Sequence, residues 1–271
     1  MTDKYAVLGN PVHHSKSPLI HQSFAKQYSQ DLVYSAELTP LNGIEECLKS
    51  LQELGFMGVN ITVPFKEKAW ELIDNKSEFA AIAGAVNTIT IQDDGSLHAD
   101  NTDGVGLCRD LTHNHGMQLN NKRILLLGAG GAARGVIQPL LEQGPAELII
   151  ANRTVSKAQN LAEHFTSFGN IRATGFAAVA GDYDIIINST SASLQGQVPP
   201  IPATAVTHKT FCYDMMYSNE DTPFVQWAKR QHAFRSIDGL GMLVEQAAEA
   251  FRLWRGIKPE TQSVIKLLRT Q

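Results

Sequence analysis

The feature that most constrains the fold is an aliphatic run that leads directly into a glycine-rich turn. Ile124 to Leu127 are all aliphatic, and the sequence Gly128-Ala129-Gly130-Gly131-Ala132-Ala133 follows. A continuous apolar run is typical of a parallel strand that is buried on both faces. The turn fits the pattern G-x-G-x-x-A, in which small residues permit a tight turn, close approach of a pyrophosphate and close helix packing. We therefore predict a strand–turn–helix unit that binds a dinucleotide. An ordinary glycine-rich turn is the alternative.

The end of the next predicted strand indicates which dinucleotide is bound. It carries Asn152, Arg153 and Thr154, and Lys157 comes soon after. NAD-selective folds usually have an acidic residue here that binds the ribose 2′-hydroxyl. Because a cation and hydroxyl donors stand there instead, a 2′-phosphate would be favoured, which indicates NADP(H). Solvated charges at a helix start are the alternative.

The remaining chain alternates predicted strands and helices, in two different styles. Strands are expected at Tyr5 to Gly9, Val33 to Leu38, Gly58 to Val63 and Ala85 to Gln92. Ser17-Pro18 has the pattern of a helix N-cap followed by proline. After residue 122 the pattern is that of a doubly wound parallel sheet. We predict an α/β protein with an N-terminal α/β substrate domain (1–103 and 240–271) and an inserted Rossmann-like NADP-binding domain (104–239). The C-terminal helices are expected to return to the first domain.

Composition excludes several classes of protein. The 271 residues are 43% hydrophobic and 18% charged, which is a globular composition. The net charge of −4 argues against a nucleic-acid partner. No apolar run approaches the length of a membrane span, and no secretory signal is visible, so a cytoplasmic location is expected. The three cysteines lie far apart, and no metal site is expected.

Polar groups cluster at three loops of the first domain. Ser15 and Ser17 flank Lys16, Thr62 and Lys66 belong to the segment NITVPFK, and Asp103 lies in the segment NTDG. Ser17, Lys66 and Asp103 also have purely structural explanations. Ser17 and Asp103 are residue types that cap helices, and Lys66 could be a solvent-exposed surface lysine. Lys66 is nevertheless out of place electrostatically, because helix N-termini disfavour cations.

Taken together, these motifs resemble the shikimate dehydrogenase family of the bacterial aromatic amino-acid pathway. The resemblance runs nearly end to end. It is carried by GNPVHHSKSP (9–18), NITVPFK (60–66), GAVNT (84–88), DNTDG (100–104), GAGGAARG (128–135), NRT (152–154), YDMMY (213–217) and DGLGMLVEQAA (238–248). One departure is visible: Ser193 stands where the family usually has glycine in its N-A-T-S-x-G segment.

The resemblance implies roles for individual residues. Lys66 and Asp103 match the catalytic pair. The residues that match groups holding the substrate are Ser15, Ser17, Thr62, Asn87, Asp103, Tyr217 and Gln246. The residues that match cofactor-binding positions are Glu78, Gly128, Ala129, Gly130, Gly131, Ala132, Asn152, Arg153, Thr154, Lys157, Asn188, Thr190, Met215 and Gly239.

The implied reaction is the reversible, NADPH-dependent reduction of 3-dehydroshikimate to shikimate by a monomer or homodimer. Three alternatives remain at this stage. They are a quinate/shikimate dehydrogenase of dual specificity, another two-domain NADP enzyme such as a methylenetetrahydrofolate dehydrogenase, and a non-catalytic NADP-binding regulatory protein. A regulatory protein would be expected to lack the Lys66–Asp103 pair.

Overall fold

The computed structural model describes residues 2–270, which form two compact units. One unit contains the chain up to Gly106 and from Leu243 onward, and the other is Leu107–Met242. The predicted boundaries, after residues 103 and 239, lie three residues before these junctions at 106 and 242. The assignment of one unit to substrate and the other to cofactor stays a prediction.

The first unit is built on a five-stranded mixed sheet of order β2-β1-β3-β4-β5. Strands β1, β2 and β3 are parallel, whereas β4 is antiparallel to both β3 and β5. Its strands and helices are β1 (Asp3–Gly9), α1 (Ser17–Gln27), β2 (Leu32–Leu38), α2 (Ile44–Glu53), β3 (Phe56–Ile61), α3 (Lys66–Leu72), α4 (Glu78–Ala83), β4 (Thr88–Ile91) and β5 (Leu97–Asp100).

The core of this unit lies where the helices cover the central strands. Leu8 of β1 and Ile61 of β3 are partners in the sheet, and both are buried with Phe65 in one apolar cluster. Burial on this scale contributes about 1.5–3 kcal/mol for each large aliphatic side chain. The strands are therefore fixed in register by their buried faces, which also fixes the loops at their ends.

Several local predictions for this unit were wrong in detail. The N-cap of α1 is Lys16, not Ser17, and Ser17 is already helical. The strand predicted at Gly58 to Val63 is displaced toward the N-terminus as β3, and the one predicted from Ala85 begins only at Thr88. Helix α4 was not predicted, because its six residues are too few to show a helical period.

Two helices connect the units along the chain. Helix α5 (Asp103–Arg109) is followed by one π-helical turn (Asp110–Asn114), and α9 (Leu240–Arg255) precedes the last helix, α10 (Gln262–Arg269). The end of α9 packs on the first unit, since Trp254 stacks on Tyr5 and donates a hydrogen bond to the Ile89 carbonyl. The expected return of the C-terminal helices to the first unit is thus observed.

The second unit contains a six-stranded sheet of order β11-β10-β9-β6-β7-β8, all parallel. Counted from β6, this order is the 3-2-1-4-5-6 arrangement of doubly wound dinucleotide-binding folds, as predicted. Its strands and helices are β6 (Arg123–Leu127), α6 (Gly131–Glu142), β7 (Glu147–Asn152), α7 (Val155–His164), β8 (Ile171–Gly175), β9 (Ile185–Asn188), β10 (Phe211–Asp214), α8 (Pro223–Arg230) and β11 (Arg235–Asp238).

The strands of this second sheet end together at one edge. Leu127, Asn188, Asp214 and Asp238 are the last residues of four adjacent strands and occupy the same register position. The segments that follow them therefore meet at the carboxyl edge of the sheet, which is where ligands bind in open α/β sheets. Among the described residues, no helix is long and apolar enough to cross a membrane.

Candidate active site

A lysine–aspartate ion pair lies at one edge of the first sheet. Lys66 begins α3 after β3, and Asp103 begins α5 after β5. The Lys66 Nζ donates a hydrogen bond to Asp103 Oδ2 at 2.5 Å, and only 16% and 6% of the two side chains are exposed. The aspartate compensates for the unfavourable position of a lysine at a helix N-terminus. The two residues that the resemblance assigns to catalysis are thus in direct contact.

Asn87 fixes the other oxygen of the aspartate. Its Nδ2 lies 2.8 Å from Asp103 Oδ1, 3.0 Å from Thr102 Oγ1 and 3.3 Å from Gln246 Oε1. Its Oδ1 accepts a hydrogen bond from the Thr102 backbone N–H at 2.8 Å. The Asp103 backbone N–H in turn donates to Asn101 Oδ1 at the start of α5. The Asp103 carboxylate therefore has one oxygen held by an amide and the other held by an ammonium group.

Apart from Gln246, which lies on α9, the predicted substrate residues of the first unit follow or precede strands at this same sheet edge. The Ser17 backbone N–H donates to Ser15 Oγ at 3.3 Å in the loop after β1. Thr62 follows β3, and its backbone N–H donates to the Leu8 carbonyl. A Cβ at Gly9 would lie 2.4 Å from the Thr62 methyl carbon, so only glycine admits Thr62 here. Ser15, Ser17 and Thr62 are half-buried or buried, with hydroxyls near the strand ends.

Sequence reasoning missed the buried polar residues beneath this edge. Tyr34 on β2 donates a hydrogen bond to Asn60 Oδ1 at 2.7 Å. Asn60 Nδ2 donates to the Asn87 carbonyl and to Thr88 Oγ1, both at 3.1 Å. His21 of α1 stacks on the Tyr34 ring at a centroid distance of 4.2 Å. The one sequence feature that could have indicated this buried polar cluster is His21 itself, a histidine on the apolar face of α1 beside Ile20 and Phe24.

The glycine-rich loop of the second unit has the geometry that its sequence predicts. Gly128 has a φ of +112°, and a Cβ there would lie 2.8 Å from Ser189 Oγ, so a larger residue would be both strained and crowded. Gly130 is the N-cap of α6, and no side chain caps that helix. Its first backbone N–H groups therefore remain free to bind an anion.

A cavity beside this loop is lined by the residues predicted to bind a 2′-phosphate. Its volume is about 170 Å³, and its lining residues are Ala129, Gly130, Asn152, Arg153, Thr154 and Lys157. The Asn152 side chain donates to the Thr154 carbonyl at 2.9 Å, which holds the turn into α7. Two cations and no acidic side chain line the cavity, so its lining suits an anion.

The segment after β9 is held by a buried carboxylate that the sequence did not indicate. Asn188 donates to Asp214 Oδ1 at 3.0 Å and accepts from both the backbone N–H and the hydroxyl of Thr190. Ser193 and Thr222 each donate a hydroxyl hydrogen bond to Asp214 Oδ2 at 2.6 Å. Burial raises the pKa of Asp214, and these hydrogen bonds oppose that rise. Because both polar atoms of Asn188 bind within the protein, its contact with a cofactor stays a prediction.

The remaining residues predicted to bind cofactor or substrate are Met215, Gly239, Tyr217 and Glu78. Met215, after β10, donates its backbone N–H to the Asn188 carbonyl, and a Cβ at Gly239 would lie 2.4 Å from the Met215 carbonyl oxygen. Tyr217 is half-buried after the same strand. Glu78 is exposed at the start of α4. In residues 2–270 no group of three or more His, Cys, Asp or Glu side chains is arranged to hold a metal ion.

Three family models match successive parts of the chain. They are the shikimate dehydrogenase substrate binding domain over residues 7–89, shikimate / quinate 5-dehydrogenase over 110–196, and the shikimate 5′-dehydrogenase C-terminal domain over 239–269. The chain belongs to the shikimate dehydrogenase family. Membership confirms the family and the two-domain α/β fold that the sequence motifs indicated.

Individual shikimate dehydrogenases match over almost the whole chain. A protein of Hahella chejuensis named shikimate dehydrogenase (NADP(+)) is 54% identical over 98% of both chains. Its namesake from Alkalilimnicola ehrlichii is 51% identical over 100% of both. The crystal structure of shikimate 5-dehydrogenase from Thermus thermophilus with NADP(H) and shikimate has a TM-score of 0.89 at 34% identity. The match covers 99% of this chain and 99% of that one.

Proposed function

We propose that the protein is an NADP-dependent shikimate dehydrogenase that interconverts 3-dehydroshikimate and shikimate. The observation that carries this proposal is the Lys66–Asp103 ion pair, whose carboxylate is held on its other oxygen by Asn87. An ammonium group in contact with a fixed carboxylate suits proton transfer to and from a substrate oxygen. The relatives named above carry this activity in their names.

Polar side chains at the edge of the first sheet would bind the substrate. Ser15 and Ser17 supply hydroxyls at the N-terminus of α1, where the helix dipole favours the substrate carboxylate. Thr62, Asn87, Asp103 and Gln246 supply donors and acceptors for its hydroxyls, and we assign Tyr217 to the same set. Buried groups of this kind penalise an analogue that lacks a matching hydroxyl, because they would be left unpaired.

The second unit fits NADP(H). Gly128 leaves room for close approach, α6 presents uncapped N–H groups, and the cavity lined by Arg153 and Lys157 suits a phosphate. We assign the pyrophosphate to the backbone of residues 128–132 and the 2′-phosphate to Asn152, Arg153, Thr154 and Lys157. When bound, NADPH supplies a hydride to the carbonyl carbon of 3-dehydroshikimate. Met215, Gly239, Asn188, Thr190 and Glu78 complete the proposed set of cofactor residues.

Lys66 would supply the proton that the reduction requires. As the carbonyl oxygen gains negative charge, the ammonium group donates a proton to it, and the product is an alcohol. In the reverse direction the neutral amine accepts that proton. Asp103 orients the ammonium group through Oδ2 and binds a substrate hydroxyl.

One assay separates this function from its alternatives. The purified protein is mixed with shikimate and NADP⁺, and NADPH formation is followed by its near-ultraviolet absorbance. Quinate replaces shikimate, and NAD⁺ replaces NADP⁺, in parallel reactions. We expect turnover with shikimate and NADP⁺ and much less with the other combinations. Equal rates with quinate would favour the dual-specificity enzyme, and no turnover in any reaction would favour the regulatory protein.

Cellular location and oligomeric state belong to the same proposal. We propose a cytoplasmic location, which fits the expected supply of NADPH there, and a monomer or homodimer as the active form. Cell fractionation tests the first, and light scattering of the purified protein tests the second. A form larger than a dimer would contradict it.

A further inference from the structure

Thr88 is the first residue of β4 and is completely buried beside Asn87. Its hydroxyl oxygen lies 2.8 Å from Asn87 Oδ1 and 3.1 Å from Asn60 Nδ2. The proposed catalytic and substrate-binding sets do not include this threonine. A hydroxyl has one proton to donate, whereas its oxygen can accept two hydrogen bonds. The direction in which Thr88 gives its proton therefore depends on the atoms that its two neighbours present to it.

The orientation of the Asn60 amide decides what Thr88 does on one side. The Asn87 backbone carbonyl can only accept a hydrogen bond, so the Asn60 atom that lies 3.1 Å from it is Nδ2. At the other end of the amide, Asn60 Oδ1 accepts the Tyr34 hydroxyl at 2.7 Å. Because Asn60 Nδ2 also faces Thr88, the Thr88 oxygen accepts a hydrogen bond there. The Thr88 proton therefore points elsewhere.

The backbone of Thr102 decides the orientation of the Asn87 amide. Its N–H can only donate, so the Asn87 atom that lies 2.8 Å from it is Oδ1. The Thr88 proton is directed at the same oxygen, which at 2.8 Å is nearer than Thr102 Oγ1 at 3.4 Å. These two donors use both lone pairs of Asn87 Oδ1. Asn87 Nδ2, on the other branch of the amide, is left to face Asp103 Oδ1 at 2.8 Å.

The orientation of this amide matters because Asp103 carries the charge that holds Lys66. With Nδ2 against it, the carboxylate has an amide donor on Oδ1 and the ammonium group on Oδ2. A reversed amide would place its oxygen against Asp103 Oδ1 and its NH₂ group against the Thr102 N–H, and both contacts are repulsive. Asn87 and Asp103 are only 2% and 4% exposed, so water has little access to replace a lost hydrogen bond.

We propose that Thr88 is a positioning residue for Asp103 and acts through Asn87. Its hydroxyl proton holds Asn87 Oδ1, so that the amide N–H stays on Asp103 and the carboxylate stays in place to orient Lys66. The inference rests on the proposed function, because it takes Lys66 and Asp103 as the groups that act on the substrate oxygen. Loss of the Thr88 hydroxyl should therefore lower the rate of turnover more than it weakens the binding of shikimate or NADP⁺.

The test is a pair of substitutions at Thr88, measured by steady-state kinetics with shikimate and NADP⁺. Thr88→Val replaces the hydroxyl by a methyl group of similar size and suits a β-strand. We expect kcat to fall about three- to tenfold, as for loss of one buried hydrogen bond, while KM for shikimate changes less and KM for NADP⁺ stays the same. Thr88→Ser keeps the hydroxyl and should restore most of kcat. Thr88→Ala, with the same expected loss, covers the case in which Thr88→Val does not fold.

A double-mutant cycle with Asn87→Ala shows whether Thr88 acts through Asn87. Asn87→Ala removes the amide that donates to Asp103, and we expect it to lower kcat more than Thr88→Val does. In that background Thr88→Val should have almost no further effect on kcat, because the oxygen that its hydroxyl holds is gone. A merely structural role for Thr88 would instead give two independent effects on kcat that multiply, and this outcome would contradict the inference.

The matched control is Thr39→Val. Thr39 is also completely buried in the first unit, but its hydroxyl donates to the Glu37 carbonyl. This substitution should leave kcat unchanged. The inference is wrong if Thr88→Val keeps the kcat of the unaltered protein, or if Thr88→Ser loses as much activity as Thr88→Val. Absence of shikimate turnover by the unaltered protein is a different result, which would overturn the proposed function and this inference with it.

Discussion

Lys66 Nζ donates a hydrogen bond to Asp103 Oδ2 at 2.5 Å, although 37 residues separate the two along the chain. The same carboxylate accepts a second hydrogen bond, from Asn87, on its other oxygen. Asp103 is consequently held on both carboxylate oxygens, whereas Lys66 brings a donor to one of them. This division of roles suits a lysine that moves a proton and an aspartate that orients it.

Replacing Lys66 should therefore remove proton transfer and leave substrate binding largely intact. For Lys66→Ala we expect kcat to fall by about 10²–10⁴-fold and KM for shikimate to change far less. Steady-state kinetics in both directions provide the measurement. The matched control is Lys68→Ala, because Lys68 is an exposed lysine of the same helix that pairs with Glu71 at 2.8 Å. An unchanged kcat for Lys66→Ala would remove this lysine from the chemistry.

Loss of Arg153 should weaken the use of NADP⁺ specifically. The side chain lines the cavity next to the glycine-rich loop, with Lys157 and without an acidic residue. For Arg153→Ala we expect KM for NADP⁺ to rise about 10–100-fold, as for loss of a charge-assisted hydrogen bond, and KM for NAD⁺ to change little. Kinetics with both cofactors test this. Arg230→Ala, an exposed arginine of the same unit, serves as the control. Equal losses with both cofactors would contradict a 2′-phosphate site.

Buried His21 should make the protein less stable in mild acid. Its pKa is about 3 in the folded protein, against 6.5 for an accessible histidine. Between these values the unfolded chain binds a proton that the folded chain does not, so the free energy of unfolding falls as the pH falls below about 6.5. At pH 5 this amounts to about 2 kcal/mol relative to neutral pH.

Urea unfolding at pH 7.5 and pH 5 measures the effect. In His21→Phe the loss of stability between these pH values should be smaller by about 2 kcal/mol than in the unaltered protein, because the titrating group is absent. An identical loss in both proteins would show that His21 does not stay neutral in the folded state.

Ionisation of Asp214 should change the free energy of unfolding with pH in the opposite direction. Burial raises its pKa above the usual 3.8, so the folded protein keeps this proton more tightly than the unfolded chain. The free energy of unfolding therefore falls as the pH rises from about 3.8 through the raised pKa, and the contribution is constant above it. Ser193→Ala removes one donor to the carboxylate and should raise that pKa further. At neutral pH we expect a loss of about 1–3 kcal/mol.

Unfolding of Ser193→Ala at pH 4 and pH 7 tests this, with the exposed Ser156→Ala as the control. The difference between Ser193→Ala and the unaltered protein should be larger at pH 7, where Asp214 is more often charged. A difference that does not depend on pH would separate Ser193 from the Asp214 charge. Ser193 stands where the family usually has glycine, and here its hydroxyl supplies the third side-chain hydrogen bond to Asp214, with Asn188 and Thr222.

The sequence by itself determined the parts whose cause is local. The aliphatic strand, the glycines and the helix that follows predicted the loop at Gly128 correctly, because each requirement lies within a few neighbouring residues. The presence of Arg153 and the absence of an acidic residue beside it likewise predicted an anion site from a short segment. Local patterns failed at Ser17, which has a side chain typical of an N-cap but is the first residue of the helix, after the N-cap Lys16.

Only the tertiary structure decided which polar groups meet. Asn87 lies within hydrogen-bond distance of Gln246 across 159 residues, and Tyr34 reaches Asn60 from a different strand. Such contacts depend on strand order and register, which buried apolar side chains fix and which no single segment encodes. Asp214 and His21 show the same limit, since burial is the largest cause of both pKa shifts and burial is a property of the assembled core.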